Sequence, residues 1–237
     1  MGNEIIHQEL LTILKAIDQI CSQENLSYML NAGTLLGAVR EKGFIAWDDD
    51  ADLMMHRQDF EAFARSSPKY LPDLGLFLGY IGRVPMVARL DKPEIMVEIM
   101  ILDTLPQSKW QQKNKIFRLK LMQGMMKKDI DYSTYDWKGK LLVGATALLG
   151  RVTSDEAKLE RYRQLSMLGN DQASDYVFFA NERFRYMNLK IKRSMVDQTV
   201  RLPFVDTQLL APVGWDAFLR LYYGDDYMIP KRDNYYA

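Results

Sequence analysis

A short acidic run that leads directly into an apolar segment constrains this chain more than any other feature of its sequence. Asp48, Asp50 and Asp52 alternate along the run, and the apolar residues 53–55 follow them. Alternate residues of a β-strand point to the same face, so we expect Asp50 and Asp52 side by side, with Asp48 extending the row. Carboxylates this close repel one another, and a hard divalent cation is the simplest way to neutralise them.

A Gly-Thr pair precedes the acidic run at short range. Gly33-Thr34 is followed by a predicted short helix from Leu35 to Glu41, and a helix N-terminus offers free N–H groups to phosphate oxygens. Arg40 is a candidate for an additional cation beside that phosphate. A glycine turn for phosphate beside carboxylates for a metal predicts phosphoryl or nucleotidyl transfer. The alternative is a solvated acidic loop, and the apolar flanks of the run argue against it.

A third carboxylate is expected on a neighbouring strand. Glu98 lies alone in the otherwise apolar segment from Ile95 to Leu102. Burying a glutamate without a partner is costly, so Glu98 is the best candidate to complete a metal site or to accept the proton of a nucleophile. The alternative for Glu98 is a strand face open to water. The alternative for the third carboxylate is Asp103, which stands shortly before Pro106 and could serve only to shape a turn.

The small numbers of cysteine and histidine residues limit the kinds of metal site that the chain can form. The 237 residues include one cysteine, Cys21, and two histidines, which excludes an intrachain disulfide framework and a cysteine-based zinc site. Any metal would therefore be held mainly by carboxylates, which favours magnesium, manganese or calcium. We expect Cys21 to be a core residue. Lys+Arg and Asp+Glu both total 31, so the zero net charge provides no general attraction to nucleic acid.

The hydropathy pattern predicts a cytoplasmic protein. The N-terminal residues show neither the basic nor the apolar part of a signal peptide. The longest apolar run, Leu141 to Leu149, is far shorter than the roughly 20 residues that a membrane-spanning helix needs.

The periodicity of apolar residues along the chain predicts a mixed α/β (α+β) core with a helical, basic insertion. Helices are expected at 4–24, 154–168 and 213–223, and strands at 26–30, 76–80, 85–90, 95–102, 176–180 and 199–204. Residues 108–151 contain ten basic and three acidic residues, a balance of +7, and are expected to form two helices. We predict a single domain over residues 1–237, with the insertion at about 107–170.

The basic segment 108–151 admits two interpretations. Its cationic and apolar residues interleave as in helices that lie on an anionic membrane surface, which predicts peripheral contact with the inner face of the membrane. The alternative is a core-packing helix with a solvated basic face. Nucleic acid is not an expected partner, because no recognition motif accompanies the segment.

Two sets of motifs resemble a known family. The first is Gly33-Thr34-Leu35-Leu36-Gly37-Ala38-Val39-Arg40, followed by residues 43–52 with their Trp-Asp-Asp-Asp-x-Asp pattern. The second is Leu202-Pro203-Phe204, Pro212 and the residues 223–228. Together they resemble the LicD family of phosphocholine transferases, to which the fukutin-related proteins are also similar. The resemblance is close over about residues 8–60 and 197–232 and weak over residues 107–195.

The resemblance implies a nucleotidyltransferase-like fold and a CDP-alcohol-dependent phosphotransferase. Such an enzyme transfers a phospho-alcohol, most commonly phosphocholine from CDP-choline, to a hydroxyl of a glycan and releases CMP. It uses Mg²⁺ or Mn²⁺. The implied acceptor is a precursor of lipopolysaccharide, teichoic acid or capsule, and a lipid-linked glycan is one candidate.

The resemblance also assigns roles to residues of this sequence. Asp50 and Asp52 correspond to the metal-binding pair, and Asp48 to the acidic residue before them. Glu98 falls where the family usually has aspartate, as a third metal ligand or a base. The donor phosphates would be contacted by Gly33, Thr34 and Arg40.

The donor alcohol and the reaction class stay open at this point. A trimethylammonium group would be held by aromatic faces through cation–π attraction. The candidates are Tyr132, Tyr135 and Trp137, and also Phe184 and Tyr186, and ordinary packing is the alternative for each. Ribitol, glycerol or ethanolamine phosphate could replace phosphocholine. An NTP-dependent nucleotidyltransferase would share the same motifs but release pyrophosphate. A non-catalytic glycan-binding module is the remaining alternative.

Overall fold

The computed structural model describes residues 2–127, 137, 144, 150, 153–182 and 186–230. The packing of the chain divides it into two compact units. The first consists of Met1–Leu102 and Ile191–Ala237, and the second is Asp103–Lys190. The insertion predicted at about 107–170 lies inside the second unit. The predicted mixed α/β class is confirmed by the helices and strands of the structure.

The helices and strands follow one another along the chain as the apolar periodicity predicts in most places. The helices are α1 (Gly2–Gln23), α2 (Ala32–Arg40), α3 (Arg57–Ser66), α4 (Lys109–Met125), α5 (Asp155–Met167), α6 (Arg193–Val196) and α7 (Trp215–Tyr223). The strands are β1 (Met29–Leu30), β2 (Ala51–His56), β3 (Leu76–Ile81), β4 (Val84–Arg89), β5 (Met96–Thr104), β6 (Tyr176–Phe179), β7 (Ile191–Lys192), β8 (Thr199–Phe204) and β9 (Thr207–Pro212).

A mixed sheet forms the centre of the first unit. Its strands lie in the order β1-β2-β5-β4-β3. β2 and β5 are parallel, and the other neighbouring pairs in this order are antiparallel. The chain passes from β2 through α3 and the β3–β4 hairpin before it returns as β5. The two central parallel strands therefore begin at the same edge of the sheet.

α1 supplies one wall of the core in the first unit. Its apolar residues recur every three or four positions, and Leu10, Ile13, Ile17 and Ile20 are all at most 1% exposed. Cys21 lies among them, and burial raises the pKa of its thiol to about 12. The expectation that Cys21 is a core residue is confirmed, and the thiol stays protonated at neutral pH.

The β8–β9 hairpin supports the segment that leads to the acidic run. The backbone N–H of Val205 at the hairpin turn donates to the carbonyl of Lys42 at 2.7 Å. The rings of Phe204 and Phe44 meet edge to face, with centroids 4.8 Å apart. These contacts explain why the C-terminal motif accompanies the N-terminal one. β9 was not predicted from the sequence, because only its partner β8 shows the expected run of strand-forming residues.

The second unit has a core of its own between α4, α5 and β6. Leu119, Tyr162 and Phe178 are at most 4% exposed there. Lys115 is buried beside them, and its ammonium donates to the carbonyl of Thr104 at 2.7 Å. Of the two helices predicted in 108–151, α4 is observed. Most of the segment of the second helix lies outside the described residues.

Within the part of the chain that the structure describes, none of the helices combines the length and the apolar character needed to cross a bilayer.

We expect Gly37→Ala to destabilise the protein by about 1–3 kcal/mol. A Cβ on Gly37 would collide with the carbonyl oxygen of Gly43, where the chain turns back against α2. The free energy of unfolding in urea measures the effect. Val39→Ala, at a half-buried position of the same helix, serves as the control and should cost less. Equal stability of Gly37→Ala and the wild type would contradict the close approach.

Candidate active site

The backbone of Asp52 joins the first turn of α2 to the central sheet. Its carbonyl accepts the N–H of Asn31 at 3.0 Å, and its own N–H donates to the Thr34 hydroxyl oxygen at 2.8 Å. Asn31 is the N-cap of α2, and Thr34 belongs to the first turn. The N-terminus of the helix is therefore fixed to the start of β2.

Thr34 has a structural role in addition to its predicted one. The sequence pattern predicts the helix from Leu35, with Gly33-Thr34 as a turn before it, whereas α2 begins at Ala32. Thr34 is 3% exposed, and its hydroxyl oxygen accepts the Asp52 N–H, so it holds the strand in place. That bond uses the hydroxyl oxygen only as an acceptor, so the contact of Thr34 with donor phosphate stays a prediction. The N–H groups of residues 32–34 precede the first intrahelical hydrogen bond, from Leu35 to Asn31.

Gly33 allows the carboxylate of Asp48 to lie against the first turn of α2. A Cβ at this position would collide with Oδ2 of Asp48. The positive end of the helix dipole favours an anion there. The preceding residue, Ala32, has a φ of +43°, a left-handed conformation that alanine rarely adopts and that is typical of functional sites.

Asp48 and Asp50 interact directly through their carboxyl groups. Burial, the charge of Asp50 and the hydrogen bond between the two carboxyls together raise the pKa of Asp48 to about 7, and burial contributes most. Burial also raises the pKa of Asp50, although its hydrogen bond with Asp48 opposes the rise. Asp48 and Asp50 are thus in direct contact, and the placement of Asp50 beside Asp52 stays a prediction.

Asp52 lies beside Glu98 on the neighbouring strand. The two residues are register partners in the parallel pair β2–β5, and both side chains are half-buried. Asp103, the alternative third carboxylate, is 1% exposed and accepts a hydrogen bond from the Asn170 amide in the second unit. The position opposite Asp52 favours Glu98 as the third acidic residue of the site.

The acidic residues of the site are connected in two ways: Asp48 and Asp50 share a hydrogen bond, and Asp52 and Glu98 are register partners on β2 and β5. Within the described ranges of the chain, no group of three or more His, Cys, Asp or Glu side chains is arranged to hold a metal ion. The set of donors consists of carboxylate oxygens, which are the ligands that Mg²⁺ and Mn²⁺ prefer. The chemistry of these residues therefore fits a hard divalent cation, and the metal assignment stays a prediction.

The structure describes some of the remaining predicted site residues but not all of them. The Arg40 side chain is only 6% exposed, and its guanidinium donates to Glu41 at 2.7 Å. Tyr132, Tyr135 and Phe184 lie outside the described residues. Trp137 is described and is 67% exposed. The proposed choline contacts of these aromatics stay predictions.

α1 contacts the segment that carries Asp48, which the sequence pattern does not predict. Nε2 of His7 donates to the backbone carbonyl of Asp48 at 2.6 Å, and the His7 ring stacks on Phe44 at 4.6 Å. The Asn3 amide donates to the carbonyl of Ala46 at 3.1 Å. These contacts fix the backbone that carries Asp48. His7 and Asp48 are 41 positions apart in the sequence, and no periodic pattern connects them.

Comparison with known proteins places these motifs in a family. Residues 25–75 match the model of the "LicD/FKTN/FKRP, nucleotidyltransferase domain" family. The chain is also similar to the lipopolysaccharide cholinephosphotransferase LicD of Haemophilus influenzae, with 49% identity over 53 residues. Residues 25–75 are therefore similar to the LicD family. The matched residues include the first turn of α2 and the acidic run, whereas Glu98 and the β8–β9 hairpin lie beyond them.

The similarity to LicD relatives is confined to a short stretch. The Haemophilus match covers 22% of this chain and 20% of the relative. Uncharacterised proteins of Rickettsia typhi and Rickettsia prowazekii are 34% and 32% identical over 61 and 71 residues, which are 26% and 30% of this chain. The chain thus spans about a fifth to a quarter of the length of these curated relatives, namely 20%, 20% and 26%.

We expect His7→Ala to loosen the acidic segment and to cost about 1 kcal/mol of stability, because one hydrogen bond and one ring stack are lost. Hydrogen–deuterium exchange of a peptide covering residues 44–50 should rise, and His7→Gln, which keeps an N–H donor, should restore part of the protection. His56→Ala is the matched control, since His56 donates to Val196 at the other end of β2. Unchanged exchange of residues 44–50 in His7→Ala would refute the positioning role.

We expect Asp48→Asn to stabilise the metal-free protein at pH 8 but not at pH 4. The pKa of Asp48 is about 7 in the folded protein and 3.8 ordinarily, so the folded state retains a proton that the unfolded chain releases. Wild-type stability therefore falls as the pH rises from about 4 to about 7. After discounting for solvent screening, the gain at pH 8 is on the order of 1 kcal/mol, or roughly 2–4 °C in Tm.

Thermal unfolding in EDTA across this pH range measures the difference. Asp73→Asn, at an exposed position, is the control and should follow the wild type at every pH. A variant Asp48→Asn that is less stable than the wild type at pH 8 would contradict the crowding of the two carboxyls.

Proposed function

We propose that this protein is a transferase of the LicD family that moves phosphocholine from CDP-choline to a hydroxyl of lipopolysaccharide or a related cell-surface glycan, with release of CMP. In this reaction the acceptor oxygen forms a bond to the phosphorus of phosphocholine. The bond from that phosphorus to the bridging oxygen of CMP breaks, and the acceptor hydroxyl loses its proton. The similarity to a lipopolysaccharide cholinephosphotransferase supports the choice of donor and acceptor.

One observation carries the proposal. The hydrogen bonds from Asn31 to Asp52 and from Asp52 to Thr34 hold a helix N-terminus and a carboxylate at a fixed separation. Phosphoryl transfer requires both, because the donor phosphates need N–H groups and positive charge while the reacting hydroxyl needs a base. A rigid connection between them reduces the cost of orienting the substrate.

Each residue of the site would have its own role in the reaction. The N–H groups at the start of α2, with Gly33 among them, would bind donor phosphate oxygens, and Arg40 would add a cation beside them. Glu98 would accept the proton of the acceptor hydroxyl or complete the metal site. Asp48, held by His7 through its backbone, would keep Asp50 in place through the hydrogen bond between their carboxyls.

A divalent cation is part of the proposal. Asp50 and Asp52, with Glu98 as a third ligand, would hold Mg²⁺ or Mn²⁺. When bound, the cation supplies positive charge that neutralises the donor phosphates and the leaving CMP. The first test of its binding does not need turnover, because Mg²⁺ should raise the Tm of the wild type but not that of Asp52→Asn.

The decisive experiment measures CMP release by the purified protein with Mg²⁺ and a lipopolysaccharide acceptor that lacks phosphocholine. CDP-choline, CDP-ethanolamine, CDP-ribitol and CDP-glycerol are offered in parallel, with CTP as a further arm. We expect CMP from CDP-choline and at least a hundredfold slower release by Asp50→Ala, because the loss of a group that stabilises transition-state charge typically costs that much.

The control variant and the other outcomes separate the alternatives. Asp73→Ala changes an exposed acid in the 3₁₀ turn at 72–74 and should keep wild-type activity. CMP from a different CDP-alcohol would replace phosphocholine in the proposal. Pyrophosphate from CTP would assign the protein to the nucleotidyltransferases that use NTPs. Near-normal CMP release by Asp50→Ala would refute the assigned site.

A further inference from the structure

α4 belongs to the second unit and has two apolar faces, one of which packs in the core of that unit. Its inner face places Leu119 in the core at 0% exposed, with Ile116 and Met122 packed beside it. On the opposite face, Trp110 is 72% exposed and Phe117 is 56% exposed. A helix that packs on one side ordinarily presents polar residues on the other.

Three apolar residues of α4 form a strip on its outer face. Trp110, Phe117 and the half-buried Leu121 are spaced by seven and four residues, which places them near one line along the helix. Leu121 also lines a groove of about 480 Å³ between α4 and α5, whose floor includes Met125 and Leu165. The apolar surface therefore extends from the strip into the groove.

Cations flank the strip, and α4 contains no acidic residue. Its basic residues are Lys109, Lys113, Lys115, Arg118 and Lys120. Lys109 and Lys113 lie about one quarter turn to one side of the strip, and Arg118 lies to the other side. In the described part of the chain, these three make no ion pair. Arg161 of α5 adds a second arginine at the groove.

We propose that the outer face of α4 docks on an anionic phospholipid bilayer. Exposed aromatic residues in a line, with lysine and arginine on both sides, are typical of helices that lie in the membrane interface, where Trp and Phe enter the headgroup region and the cations meet lipid phosphates. The excess of positive charge makes the face complementary to an anionic surface. This inference extends beyond the proposed transfer reaction and does not depend on it.

Co-sedimentation with lipid vesicles tests the proposal. Vesicles of phosphatidylcholine with about 30% phosphatidylglycerol should pellet the wild-type protein at low salt, whereas pure phosphatidylcholine vesicles should pellet far less. Trp110→Ala with Phe117→Ala, and Lys109→Glu with Lys113→Glu, should each lower the partition coefficient at least about tenfold. High salt should weaken binding, because the charges involved are exposed to solvent.

Two matched double variants control for general surface effects. Tyr80→Ala with Ile81→Ala removes two other exposed apolar side chains, 58% and 50% exposed, from the first unit. Arg65→Glu with Lys69→Glu makes the same change in net charge on another surface. Both should bind vesicles like the wild type. Circular dichroism and Tm should show that all four double variants are folded.

Several outcomes would overturn the proposal. Failure of the folded wild type to pellet with anionic vesicles would do so directly. Equal binding by the Trp110→Ala, Phe117→Ala variant would place any membrane contact elsewhere. Self-association in sedimentation velocity that this variant abolishes, without vesicle binding, would assign the face to a second copy of the chain. Salt-dependent binding of an RNA duplex without vesicle binding would assign it to nucleic acid.

Discussion

The two hydrogen bonds on the backbone of Asp52 are the constraint on which the rest of the candidate site depends. They use the carbonyl and the N–H of one residue to bind the N-cap and the first turn of α2. Side chains can adopt other rotamers, but a backbone held from both sides cannot move without breaking the sheet or the helix. The helix N-terminus and the start of the parallel strands therefore move as one body. Glu98 joins this body through its register with Asp52.

Repulsion among the carboxylates of the acidic run destabilises the folded protein, and the surrounding residues offset part of that destabilisation. Gly33 lets Asp48 approach the positive end of α2, and the shared hydrogen bond of Asp48 and Asp50 favours one retained proton. His7 and the β8–β9 hairpin hold the backbone from two other sides. A segment this firmly held in an unfavourable electrostatic arrangement is typical of a site selected for function instead of stability.

Much of the fold could be predicted from the sequence, because the apolar periodicity of α1, β5 and α7 is local information. The acidic pattern and the lone Glu98 also predict where the site lies, and that assignment stays a prediction. The sequence does not reveal contacts between distant residues. Nothing near Thr34 in the sequence identifies the N–H of Asp52 as its partner. The partner of His7 is a backbone carbonyl, which leaves no trace in the side-chain pattern.

The charge distribution of the chain agrees with the two proposals. Residues 108–151 carry +7, and since the whole chain is neutral, the remainder carries −7. An anionic bilayer attracts cations and repels carboxylates. The cations that flank the apolar strip of α4 and the carboxylates around Asp52 would therefore need partners of opposite charge. The proposed membrane contact and the proposed transfer site lie in segments of opposite net charge, so each segment has the charge that its proposed partner requires.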